Sequence, residues 1–160
     1  MRRKLLSGLV SLVAVPMLLS CDSSSVFDSS IRIPNDTWSA EDVARFDVPI
    51  DDTLSYHNLY INLRNTTSYP NQNIYFFITT YAPNGAMLRD TFEGFLADDK
   101  GAWLGKGYGR LRDNRLPYRQ GVRFSGRGVY RFEVQQAMRT QKLEGIANVG
   151  LRVERAGQGR

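Results

Sequence analysis

Apolar and polar residues alternate with a period of two through most of the chain after Trp38. In Asn58–Arg64, Leu59, Ile61 and Leu63 share one face, and Asn58, Asn62 and Arg64 share the other. Such alternation marks a strand with one buried and one wet side. Ile74 to Tyr81 is denser: Ile74, Phe76 and Ile78 are placed to face a core, while Tyr75, Phe77 and Tyr81 line the opposite side. Pro83-Asn84-Gly85 supplies a turn, and Leu88 to Leu96 reads as the hairpin partner. Val43 to Ile50 reads as a strand interrupted by Pro49. Gly121 to Phe124 is short, Ser125-Gly126-Arg127-Gly128 turns the chain, and Val129 to Gln135 alternates with Tyr130, Phe132 and Val134 inward. Val149, Leu151 and Val153 mark the last strand. Only Gln136 to Ile146 leans toward helix, with Ala137, Met138 and Leu143 available to pack it on a sheet edge. Many short strands between Gly and Pro turns predict an all-β fold: an antiparallel β-sandwich of jelly-roll or immunoglobulin-like type, with one short helix or turn before the last strand.

The first residues follow a different pattern. Met1-Arg2-Arg3-Lys4 precedes an apolar run that ends in Leu18-Leu19-Ser20-Cys21. A charged start, an apolar stretch and a small residue before the cut is the layout of a secretory signal. The run is too short, and too interrupted by Pro16, for a spanning helix of about 20 residues. Its end resembles the lipobox of bacterial lipoproteins. That chemistry requires a thiol to receive the diacylglyceryl group and a small residue before it, so that a peptidase can cut between Ser20 and Cys21. The expected organisation is a signal peptide over 1–20, a lipidated N-terminus and serine-rich tether over 21–37, a β-sandwich over 38–155 and a flexible end over 156–160. The expected partner at Cys21 is the lipid bilayer, with the tether holding the sandwich off its surface.

Charge narrows the partners. The net charge is +5. Of 21 basic residues, Arg2, Arg3 and Lys4 leave with the signal, so 18 face 16 acidic ones. A surplus of +2 argues against nucleic acid. Cys21 is the only cysteine, so no internal disulfide is available and stability must come from the core.

The residues that carry chemistry are few. His57 is the single histidine, and no serine stands in a Gly-x-Ser-x-Gly turn. A transition-metal site or a Cys–His nucleophile is therefore not expected. Asp51-Asp52, Asp98-Asp99 and Asp113 fall in predicted turns, where aspartate is common without binding calcium. The glycine-dense Gly101 to Gly109 would need a strand before it and a helix after it to cradle a phosphate. In an all-β chain these glycines instead permit close backbone approach. Trp103, Tyr108, Tyr75 and Tyr81 are the candidates for an aromatic surface on which a sugar or other ligand stacks. No enzyme, resident metal or cofactor is expected.

Several segments, taken together, resemble a known family. Asn58-Leu59-Tyr60-Ile61-Asn62-Leu63-Arg64-Asn65, Tyr69-Pro70, Trp103-Leu104-Gly105-Lys106-Gly107, Gln135-Gln136-Ala137-Met138-Arg139 and Val149-Gly150-Leu151-Arg152-Val153-Glu154 occur in this order. From about Trp38 to Glu154 the chain resembles the gliding motility lipoprotein family GldH of Bacteroidetes, and the lipobox is consistent with it. The resemblance implies a structural or assembly lipoprotein of the gliding apparatus, linked to type IX secretion, with envelope proteins as partners. It implies no catalytic residues. The expected location is the outer membrane, on its periplasmic rather than its external face. The alternative reading is a carbohydrate- or ligand-binding sandwich on an envelope lipoprotein.

Overall fold

A computed structural model of the protein describes residues 24–157. Its strands are β1 (Ser25–Arg32), β2 (Thr37–Ser39), β3 (Ala44–Ile50), β4 (His57–Thr66), β5 (Asn73–Tyr81), β6 (Met87–Phe95), β7 (Leu111–Val122), β8 (Gly128–Gln136), β9 (Lys142–Glu144) and β10 (Ile146–Arg155). One 3-10 turn, Pro34–Asp36, follows β1, and the described residues contain no α-helix. Two four-stranded sheets run β1-β10-β4-β7 and β3-β8-β5-β6, and β2 and β9 form a separate ribbon. Every pairing is antiparallel. Only β5 and β6 are both consecutive in the chain and paired with each other. Their turn closes through Gly85, whose φ of +84° suits glycine.

The alternation seen in the sequence becomes the two inner faces. Leu59, Ile61 and Leu63 of β4 and Val149, Leu151 and Val153 of β10 meet Ile74, Phe76 and Ile78 of β5 and Tyr130, Phe132 and Val134 of β8 in one buried core. Every strand of this group has sheet neighbours on both sides, so burial is one-faced and the pattern is clean. Trp38 and Leu143, paired across the ribbon, plug into the same core, with the Trp38 ring 6.3 Å from that of Phe76.

Several expectations change. The tether expected over 21–37 is largely folded, because Ser25–Arg32 pairs along β10 from Ser25↔Glu154 to Arg32↔Asn148. Backbone pairing, rather than apolar side chains, holds this serine-rich strand, with Phe27 packing edge-on to Phe46. Pro49 does not interrupt β3, because β3 is an edge strand and a proline there leaves no sheet partner unbonded. The expected Gly121–Phe124 strand is not separate: Gly121 and Val122 end the twelve-residue β7, which brings Asp113 from a predicted turn into a strand. The segment before β10 is a turn plus the short strand β9, with Met138 still packed on the core. Within the end expected to be flexible over 156–160, Ala156 donates its N–H to the Tyr56 carbonyl at 2.8 Å. The expected signal peptide, Ser20 and Cys21 lie outside the described residues.

Candidate functional site

The outer face of the β1-β10-β4-β7 sheet is polar, and its rows follow from the register. Asp28, Arg152 and Tyr60 stand side by side, then Ser30, Gly150, Asn62 and Arg115, then Arg32, Asn148, Arg64 and Asp113. Arg152 is buried yet doubly paired, to Asp28 at 2.7 Å and to Glu154 at 3.0 Å. This ties β1 to the body of the sheet, since a buried guanidinium is tolerated only when paired. Arg64 forms a fork with Asp113, at 2.5 and 3.2 Å.

A groove of about 1090 Å³ crosses this face between β1 and the segment Leu104–Lys106. Arg32, Arg64, Lys106 and Arg115 line it against the one carboxylate of Asp113. Its wall is built by the glycine-dense stretch. Lys106 and Asp113 exchange backbone hydrogen bonds at 3.0 and 2.7 Å, laying the stretch along the edge of β7. Gly107 has a φ of +153°, and a Cβ there would run into the Leu111 carbonyl oxygen. These glycines serve close backbone approach. The groove offers hydrogen-bond donors and positive charge to an anionic or hydroxyl-rich surface.

The structure does not bring the four candidate aromatics together. Tyr75 lines a groove with Met138 and Pro70, while Tyr81 lies six residues further along β5 in a different, smaller hollow. At about 3.3 Å per residue they stand roughly 20 Å apart. Trp103 is half-buried against the core in a bridge to Ala97, and Tyr108 is 98% exposed in the loop before β7.

His57 is sealed from water at the start of β4, edge-on to Phe124 at 5.2 Å. Neither ring nitrogen makes a well-formed hydrogen bond. Burial pushes its pKa below the usual 6.5, while the Asp52 charge and the Ser55 backbone pull less strongly the other way. The neutral form is therefore favoured in the fold, and the unfolded chain takes up the proton first. Stability is fully present above pH 6.5 and declines as pH falls below it. A His57→Leu variant should remove this slope in urea denaturation between pH 6.5 and about 5, above the range where carboxylates titrate. It should be no less stable than the parent at pH 7.5, since it deletes two unsatisfied polar atoms. An unchanged slope would contradict the assignment. No sequence signal predicted this burial: Ser55-Tyr56-His57-Asn58 reads as surface.

At the opposite edge, Tyr118 and Arg119 of β7 both reach Asp90 of β6 at 2.5 Å, joining the two sheets. Burial acts to raise the Asp90 carboxyl, but Arg119 and Tyr118 together hold it below its ordinary value. The Tyr118 hydroxyl is pushed up to about 12, by burial and then by Asp90.

The described fold coincides with a family match. The model of the GldH lipoprotein family matches residues 25–153, from the first residue of β1 to near the end of β10. The chain belongs to the GldH lipoprotein family. A curated relative, the gliding motility lipoprotein GldH of Flavobacterium johnsoniae, is 33% identical over 92% of this chain and 95% of its own length. The gliding motility lipoprotein GldH homolog of Christiangramia forsetii is 30% identical over 96% of this chain and 98% of its own. No solved structure matches. Segments that carry the GldH resemblance converge on the polar groove: Asn62 and Arg64 from β4, Leu104-Gly105-Lys106 from the wall, and Asn148 beside Val149-Gly150 on β10.

Proposed function

We propose that this GldH-family chain is a lipid-anchored structural or assembly component of the gliding motility apparatus, working with the type IX secretion machinery at the outer membrane. The observation that carries the reading is the match of the whole folded unit to a lipoprotein family whose curated relatives are named for gliding motility. The lipobox ending in Cys21 supports the anchor. A non-enzymatic role is supported by the placement of His57, which is sealed from solvent and cannot meet a substrate there. On this reading the domain acts through where it is held and what it touches, on the periplasmic face of the membrane. The polar groove is the surface assigned to an envelope partner on this reading.

Deleting the gene in a gliding host should abolish surface spreading and reduce the amount of type IX cargo in the medium. Spreading lost with secretion intact would keep the gliding role and remove the secretion link. Unchanged spreading together with unchanged secretion would overturn both.

A further inference from the structure

The sandwich has four edge strands, and a proline or a bulge interrupts three of them. β3 carries Pro49, and its Arg45 and Asp47 are engaged by Glu133 and Arg131 of β8. β7 carries Pro117 and is covered at Asp113 by Lys106. β1 is broken by a bulge between Ser25 and Phe27. β6 pairs with β5 without proline or bulge along its nine residues; it carries Arg89, Asp90 and Glu93, and it exposes Met87 by 63%, Leu88 by 53% and Phe95 by 58%. Natural proteins protect such edges unless something pairs with them.

The side chains of β6 suggest what pairs. Phe92 stacks on Phe76, and a Cβ on Gly94 would strike Leu116, so these positions face the core. Met87, Arg89, Thr91, Glu93 and Phe95 alternate onto the outer face. Read outward from Thr91, the order is basic then apolar on one side, and acidic then apolar on the other. Arg89 lies over the Phe77 ring at 4.6 Å and has no carboxylate partner among the described residues. Glu93 accepts a hydrogen bond from the Asn73 amide at 2.6 Å and has no cationic partner among the described residues. The Asp90 clamp pins β6 to β7 and holds the edge in place.

We propose that β6 is a homodimerisation edge, pairing antiparallel with β6 of a second copy of this chain about Thr91. In that register Arg89 faces the second copy's Glu93, and Met87 faces the second copy's Phe95, each twice. Centring the pair on Asp90 or Phe92 instead sets Met87 against Glu93, or Arg89 against Phe95. Parallel pairing sets Arg89 against Arg89. The two-fold axis of an antiparallel strand pair is normal to the sheet. Both copies of the sheet bearing β1 therefore lie on the same side of the dimer, which lets two N-terminal anchors enter one membrane. Confinement to a membrane raises the effective concentration, so a modest strand pairing suffices.

The test uses the full-length, anchored chain in cells. Thr91→Cys meets its own copy with Cα atoms about 4.5–5.5 Å apart, within disulfide reach. Mild oxidation should give a disulfide-linked dimer that the parent chain does not form. In that background Arg89→Glu and Glu93→Arg should each lower the crosslink roughly tenfold, since each creates two like-charge pairs. The double variant R89E/E93R should restore it, and the two single variants expressed together should crosslink with each other. Restoration also shows that the single variants fold. No T91C dimer, a crosslink indifferent to the single charge reversals, or a crosslink to a different protein would overturn the proposal. The last outcome would assign the edge to a partner's strand.

Discussion

Replacing Trp38 by alanine should cost about 3–5 kcal/mol of unfolding free energy. Trp38 is fully buried on a strand of only three residues. Its indole N–H donates to the Asp42 carbonyl at 2.8 Å, and its ring abuts Phe76. Deleting it empties the plug that the ribbon inserts between the sheets, opposite Leu143. The short ribbon has little backbone pairing with which to collapse into the gap, so the cavity term is added to the lost transfer energy. A domain of this size holds a total of roughly 5–15 kcal/mol, and the only cysteine, Cys21, provides no disulfide to fall back on. The melting temperature should drop by on the order of 10–20 °C. Trp38→Phe should fall between, since it retains a ring against Phe76 and loses the bond to Asp42. Urea denaturation of the three proteins checks the order. A loss below about 1 kcal/mol for alanine would show that the ribbon is not part of the cooperative core.

Replacing Cys21 by alanine should move the protein from the membrane to the soluble fraction without altering its melting curve. Each buried methylene of an acyl chain contributes about 0.8 kcal/mol, so a diacylglyceryl group makes attachment effectively permanent and its loss all-or-none. The fold is indifferent because its first paired residue is Ser25, with the Arg155 N–H donating to the Ser24 carbonyl at 2.8 Å. That start also revises the geometry of the anchor. Three peptide steps separate Cys21 from Ser24, a reach of at most about 11 Å. A lipidated Cys21 therefore holds the sandwich close to the headgroups, rather than on a long tether. On the outer face of the sheet Arg152 of β10 grips Asp28 of β1, tying that first strand to the rest of the fold. Spreading should be lost with the anchor. Membrane association or spreading retained by the Cys21→Ala protein would contradict the assignment of that cysteine.

The inner strands β4, β5, β8 and β10 were legible from residue order alone. Each has one face in the core, and a period of two is the direct consequence of that burial. The lipobox expectation rests on linear sequence and needs no fold, and its residues lie outside those described. The outer strands were not legible. In β7, Pro117 and the charged Arg112, Asp113, Arg115 and Arg119 hide the pattern, because an edge strand keeps much of its surface in water. β1 is rich in serine, and only its hydrogen bonds to β10, more than a hundred residues later, make it a strand. His57 reads as a surface residue until Phe124 closes over it.

By itself, then, the sequence determined the all-β class and the buried face of each central strand. The tertiary structure alone decided that Ser25–Arg32 is a strand, that Arg32, Arg64, Lys106 and Arg115 line one groove, that the candidate aromatics stand apart, and that β6 lies at a sheet edge. The physical reason is range. Face and signal are properties of adjacent residues, whereas edges and grooves arise from pairings between strands far apart in the chain.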